Sequence, residues 1–250
     1  MESEKDNLLV AIKPQTQKQK QTAVLLFANS GKKEATSKKF IGKGKKLNTH
    51  IASALNKHAI ATVKAAGIDL VLIDETKQRG NSFGEKLWNA SEDVFALGYQ
   101  SIIVIGNDSP QLNAEHLQFT AKQLSNNKPV IGPSADGGFY LLGMHKNDFD
   151  KESFLNLPWR KANLFFAVKQ HFNQQSQVAE ILLELTDADD EASLKRILKA
   201  ASLTAKLNPL LKLLLNLFNS ICEFATILNQ QINEFLFISK KSSRAPPLSV

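Results

Sequence analysis

A chain of 250 residues with 43% hydrophobic and 22% charged residues can bury a sizeable core, which places it with globular chains: one large α/β domain, or a domain with an appendage. Its single cysteine, Cys222, excludes an internal disulfide, fits a reducing compartment and reads as a small core residue in a helix. A net charge of +7 admits an anionic partner or simply an uneven basic surface; the first 21 residues carry too short an apolar run for a signal peptide, which makes the cytoplasm the default location.

Taken in chain order, the apolar runs alternate with helical patterns. AVLLFA (23–28) reads as a buried strand, 47–67 as a helix closed by Gly67, and LVLID (70–74) as a second strand. A helix over 82–98 again stops at a glycine. SIIVIG (101–106) is the third strand, and 113–125 a helix with Asn113 as N-cap. PVIG (129–132) and GFYLLGM (138–144) follow as strands, then helices over 162–172 and 191–202. Strands that are apolar throughout, joined by helices, predict a mainly parallel sheet covered on both faces.

The ends stand apart. PQTQKQKQ (14–21) is polar, and SKKSSRAPPLSV is a tail. Between them, 209–228 is strongly apolar, but Lys212, Asn216, Asn219 and Glu223 fall on one helical face. That argues against a transmembrane span and for an amphipathic helix packing on the domain, on a second copy of the chain or on a membrane surface. The expected division is an extension over 1–22, a main domain over 23–205, a helical appendage over 206–238 and a tail over 239–250.

Ligands of open α/β sheets sit beyond the carboxyl ends of the strands. There the third strand delivers Gly106-Asn107-Asp108-Ser109-Pro110. An acid fixed by a tight turn and a proline can hold a divalent cation shared with substrate phosphates, or it can serve as an Asx turn or cap. Asp136, followed by Gly137 and Gly138, carries the same pair of readings, a ligand site or a hairpin turn.

These two segments, in this order and spacing, resemble the rSAM/selenodomain-associated transferase family, which is glycosyltransferase-like and similar to the phospholactate guanylyltransferases and the molybdenum-cofactor nucleotidyltransferases. Gln78-Arg79-Gly80-Asn81-Ser82-Phe83-Gly84-Glu85-Lys86 resembles that family's Gln-x-Gly-x-x-Leu-Gly-Glu-Arg, Pro158-Trp159 its Pro-Trp-Ser-Thr, and Leu185-Thr186-Asp187-Ala188-Asp189 its Leu-x-Asp-x-Asp. The resemblance spans 23–200 and implies a three-layer, Rossmann-like GT-A (nucleotide-diphospho-sugar transferase) fold, to which the C-terminal amphipathic helix is added. It implies a metal-dependent glycosyltransferase or nucleotidyltransferase using a nucleotide or nucleotide-sugar donor and an unnamed acceptor. Asp108 and Asp136 would be the catalytic acids and the ligands of Mg²⁺ or Mn²⁺. Lys39, Gln78, Gly80, Gly84, Glu85, Gly137, Gly138 and Trp159 would contact substrate, and Asp187 and Asp189 would lie near the site or cap the helix that follows.

Two departures keep a second reading open, that of a catalytically degenerate GT-A-like module binding a nucleotide or a protein. After the first strand the family's Phe-Ala-Lys-x-Pro-x-x-Gly-x-x-Lys-Thr-Arg-Leu becomes Phe27-Ala28-Asn29-Ser30-Gly31-Lys32-Lys33-Glu34-Ala35-Thr36-Ser37-Lys38-Lys39-Phe40; an ungapped register puts Lys39 on the arginine and Ser37 on the lysine. After Pro158-Trp159, Ser-Thr becomes Arg160-Lys161. Nucleic-acid binding through lysines 32–46 is poorly supported, since only Phe40 offers a stacking ring among them. The C-terminal helix could join two copies of the chain. A nicotinamide dehydrogenase is disfavoured by the lack of a Gly-x-Gly-x-x-Gly after the first strand.

Overall fold

The computed structural model describes residues 20–42, 44–202 and 208–220. The N-terminal extension before residue 20, Cys222, Glu223 and the tail therefore lie outside the described residues. Six strands form one sheet in the order β2-β1-β3-β5-β4-β6: β1 (Lys20–Phe27), β2 (Asp69–Ile73), β3 (Tyr99–Ile105), β4 (Val130–Pro133), β5 (Phe139–His145) and β6 (Glu180–Ile181). β1 pairs in parallel with β2 and β3, and β4 with β6. β5 alone runs against its neighbours β3 and β4, so the sheet is mainly parallel with one reversed strand.

The uniform apolarity of β3 has a simple cause. Ile102 and Val104 enter one core cluster, while Ile103 and Ile105 enter another on the opposite face, all of them buried. Alternate residues of a strand point to opposite faces, so a sheet sandwiched between helices must be hydrophobic at every position. One face is covered by α3 (Phe83–Ala96), α5 (Lys151–Leu155) and α6 (Leu164–Gln174), the other by α2 (Lys45–Ala66) and α4 (Ala114–Ser125). Each fully buried aliphatic side chain adds about 1.5–3 kcal/mol, so these two clusters are the main source of stability.

The helix ends follow local chemistry. Ser82 and Glu85 close a capping box on α3, and Asn113 caps α4 as expected. Gly67 ends α2 in the left-handed region at φ 71°. A short helix, α1 (Gly31–Ser37), occupies the lysine-rich stretch after β1, and α7 (Glu191–Ser202) matches its expected span.

A third cluster joins Phe40, Ile51 and Leu55 to Leu194, Ile197 and Leu198 of α7 and to Leu210, Leu211, Leu214 and Phe218 of a helix at 209–220. The apolar face of that last helix thus packs on this chain, and Lys212, Asn216 and Asn219 are exposed. Among the described residues no helix is long and apolar enough to cross a membrane.

Candidate functional site

The carboxyl ends of β1 and β3, the turn between β4 and β5, and the segment 185–190 surround a cavity of about 590 Å³. That last segment ties the others together. Ala188 N–H donates to the Asp108 carbonyl at 2.7 Å, Ala135 N–H donates to the Leu185 carbonyl at 3.0 Å, and Lys39 bridges Asp190. It carries Asp187 and Asp189 into the wall that Asp108 and Asp136 already line.

Asp108 leaves β3 with room made for it: a Cβ on Gly106 would lie 2.8 Å from Asp108 Oδ1. Its Oδ2 accepts from Lys38 Nζ at 2.9 Å. Asp136 sits in the β4–β5 turn, where Oδ1 accepts from Ser134 Oγ at 2.5 Å and from Gly138 N–H at 2.9 Å. It is thus a turn-maker and a cavity-lining acid at once. Asp187 is half-buried in the same wall, and its Oδ1 accepts from Ser109 Oγ at 2.5 Å. Its pKa is pushed up to about 7, first by burial, then by the charge of Asp108, against the Ser109 hydrogen bond, with Asp136 and Asp189 adding to the rise.

Lys38 answers this negative charge. Its Nζ lies 2.9 Å from Asp108 Oδ2, 2.8 Å from Asp189 Oδ1 and 3.3 Å from Glu34 Oε1. Burial alone would lower its pKa, but the charges and hydrogen bonds of Asp108 and Asp189 overcome that and raise it. The remaining cations of the cavity wall, Lys33, Lys86, Arg160 and Lys161, make no ion pair among the described residues. The same cavity has an aromatic lining: Trp159 lies 5.5 Å from Phe83 and 6.1 Å from Phe139, and the Arg160 guanidinium is 5.1 Å from the Phe83 ring centroid.

Of the residues singled out in the sequence, Asp108, Gln78, Asp136, Gly138 and Trp159 line the cavity. Lys39 does not; it is exposed, and Lys38 takes the inward place. The backbone is extended at Lys38, with φ −104° and ψ 135°, so neighbouring side chains face opposite ways and only one of the two can meet Asp108. Gly80, Gly84, Glu85 and Gly137 are also absent from the wall. Glu85 is spent on the capping box, accepting from Asn81 and Ser82 N–H, and those bonds hold its pKa low. The first turn of α3 is thereby closed by its own acid.

The expected divalent ion meets an obstacle. Among the described residues no group of three or more His, Cys, Asp or Glu could hold a metal ion. The space between Asp108 and Asp189 is taken by an ammonium group. As they stand, these acids fit a lysine rather than a metal centre.

Comparison with known proteins agrees with the architecture. Residues 72–161, which hold Asp108, Asp136 and Trp159, match a family described as an uncharacterized protein conserved in bacteria (DUF2064). Among solved structures, the fold is similar to that of a Desulfovibrio desulfuricans G20 protein named as a nucleotide-diphospho-sugar transferase, with a TM-score of 0.66 and 19% identity over 77% of this chain and 93% of that one. A Mycobacterium tuberculosis H37Rv protein aligns more loosely: TM-score 0.40, 18% identity, 72% of this chain and 97% of that one. Its complex with manganese aligns at 0.38 and 15%, over 72% and 99%. No curated protein matches the chain. The first of these structures establishes the nucleotide-diphospho-sugar transferase fold for this chain.

Proposed function

We propose that this chain is a transferase acting on a nucleotide-activated donor, moving either a sugar or a nucleotidyl group to an acceptor. The observation that carries the reading is the convergence of Asp108, Asp136, Asp187 and Asp189 on one cavity at the carboxyl ends of the strands, lined as well by aromatic and cationic side chains. Ligands of open α/β sheets bind at that rim, and the fold is one that houses nucleotide-diphospho-sugar chemistry.

The chemistry follows from the groups present. Lys33, Lys86, Arg160 and Lys161 can meet the diphosphate charge, and Phe83 and Trp159, which line the same cavity, can supply apolar contact to the flat parts of the donor. In sugar transfer the acceptor hydroxyl attacks the anomeric carbon, whose bond to the phosphate oxygen breaks, and the nucleoside diphosphate departs with that electron pair. In nucleotidyl transfer an acceptor phosphate attacks the α-phosphorus and pyrophosphate leaves. Asp187, with a pKa near neutrality, is the group suited to take the acceptor proton at its carboxylate, since a base works best near its own pKa. Cations preorganised around the leaving phosphate lower the barrier without moving.

A specific observation also favours the second reading, a nucleotide-binding module without turnover: Asp108 and Asp189, two of the four acids, are occupied by Lys38. Thermal shift and calorimetry against a panel of nucleoside di- and triphosphates and nucleotide sugars, followed by slow hydrolysis of whichever donor binds, separate the two. The transferase reading expects binding of at least one donor and its hydrolysis, with water standing in for the acceptor, and D187N abolishing that hydrolysis while binding survives. Binding with no bond cleavage in any donor favours the module. No binding at all removes both.

A further inference from the structure

The cation of this site is already in the chain. Lys38 Nζ reaches carboxylates from three separate places: Asp189 Oδ1 at 2.8 Å, Asp108 Oδ2 at 2.9 Å and Glu34 Oε1 at 3.3 Å. An ammonium has three protons to donate and no acceptor; two of them go to Asp108 and Asp189 as hydrogen bonds, and Glu34 adds an ion pair. The group is not a surface lysine. Its side chain is 17% exposed, against 65% for Arg79 in the ion pair with Asp93.

Its surroundings are built to keep it there. Glu34 is buried, lies one turn back on α1, and also accepts from Asn29 Nδ2 at 2.9 Å. Withdrawing Lys38 would leave that buried carboxylate without its cation, a loss of several-fold the worth of an exposed pair. Lys38 itself is the C-cap of α1, and its N–H donates to the Glu34 carbonyl. Phe40, two residues on, is fully buried in the third core cluster. Backbone and core therefore fix where the ammonium can sit. A divalent ion bridging Asp108 to its neighbours would have to enter the space the ammonium fills and expel a like charge.

We propose that Lys38 is the resident cation of this cavity: the donor binds without a divalent ion, and Mg²⁺ or Mn²⁺ gains a place between Asp108 and Asp189 only when Lys38 is removed. The proposal rests on the nucleotide-donor reading given above. It assigns the rest of the diphosphate charge to Lys33, Lys86, Arg160 and Lys161, which line the same cavity without acid partners among the described residues.

The test uses the full chain, a panel of nucleoside diphosphates and nucleotide sugars, and Mn²⁺ alone. Calorimetry reads nucleotide affinity in EDTA and in MnCl₂; electron paramagnetic resonance of free Mn²⁺ reads metal binding without nucleotide. The wild-type chain should bind its nucleotide with the same affinity, within about twofold, in both buffers, and should leave the free Mn²⁺ signal undiminished. K38M, and the E34Q/K38M variant that removes the buried charge left behind, should lose at least about tenfold in nucleotide affinity in EDTA and should now deplete the Mn²⁺ signal. Nucleotide binding by the wild type only when Mn²⁺ is present, or depletion of Mn²⁺ by the wild type itself, overturns the proposal while leaving the donor reading intact. Absence of nucleotide binding in both buffers overturns the donor reading and this proposal with it.

Discussion

Gly84 and Trp159 are in contact so close that a single methyl group could not fit between them: a Cβ on Gly84 would lie 2.5 Å from the indole Nε1. The indole cannot retreat easily, because Nε1 donates to the Phe154 carbonyl at 2.9 Å and its ring rests on Phe154 at 4.8 Å. A second glycine grips the same loop. Gly137, at φ 89°, faces the Ala162 backbone, and its carbonyl accepts from Phe165 N–H at 2.9 Å. The glycines of two separate motifs thus clamp residues 159–165 over the cavity.

G84A should therefore lower stability by about 1–3 kcal/mol through overpacking, and G137A by more, since it adds a clash with backbone to a φ that L-residues avoid. Urea unfolding measures the cost. The tryptophan emission should shift in G84A but not in a G98A control, whose φ of 94° strains the backbone while its Cβ would meet nothing within 4 Å and so touches neither indole. An unchanged spectrum and midpoint in G84A would remove the clamp.

Asp187 should make stability depend on pH. Its pKa rises from 3.8 in the unfolded chain to about 7 in the fold, chiefly by burial. The folded chain then holds a proton the unfolded chain has released, so this group favours folding fully below about pH 4, and the advantage drains away as pH climbs to 7. D187N keeps an acceptor for Ser109 Oγ and removes the charge. The variant should match the wild type near pH 4 and exceed it at pH 8 by an amount of order 2 kcal/mol. Parallel stability–pH curves for the two proteins would contradict the assigned burial.

How far the fold could be read from the chain follows from where its information is local. β1 and β3 are visible because both faces of the sheet are covered, which leaves unbroken apolar runs. α1 is not, because only Gly31 and Glu34 of its seven residues are buried, too few to print a helical period. That hidden helix also explains why an ungapped register chose Lys39 over Lys38. Asp187 and Asp189 read equally well as helix caps, yet the cap of α7 is their neighbour Asp190, whose Oδ1 accepts from Ser193 N–H at 2.7 Å. The pull of Asp187 into the cavity comes from the bridge between Ser134 and Leu185, 51 residues apart. Gly84 and Gly137 suggest room for a ligand in sequence; only the fold reveals that a loop of the same chain fills it.

Arg160 should separate binding from stability. It holds a positive φ of 61°, which glycine adopts without strain, and its guanidinium lies over Phe83. R160G relieves the backbone by roughly 0.5–1 kcal/mol and forfeits a cation–π contact of similar size, so its melting temperature should barely move. Nucleotide affinity should nevertheless fall several-fold at low ionic strength, with the deficit shrinking as salt rises. A loss of stability with unchanged affinity would make Arg160 a structural residue of the turn.

Asn48 holds the segment that delivers Lys38. It is buried; its Oδ1 accepts from Ile41 N–H at 3.1 Å, and its Nδ2 donates to the Ile41 and Gly44 carbonyls at 2.9 and 3.2 Å. N48A strands these buried backbone groups at a cost of about 1–3 kcal/mol. N48D still accepts from Ile41 N–H but turns a carboxylate oxygen toward two carbonyls, which repel it, so it should be less stable than N48A above the carboxylate range. Lowering the pH restores a proton and a donor, and N48D should then recover relative to N48A. Chemical unfolding of both variants at pH 4 and pH 8 checks the order, and an order independent of pH would mean that water, not the Asn48 amide, satisfies the two carbonyls.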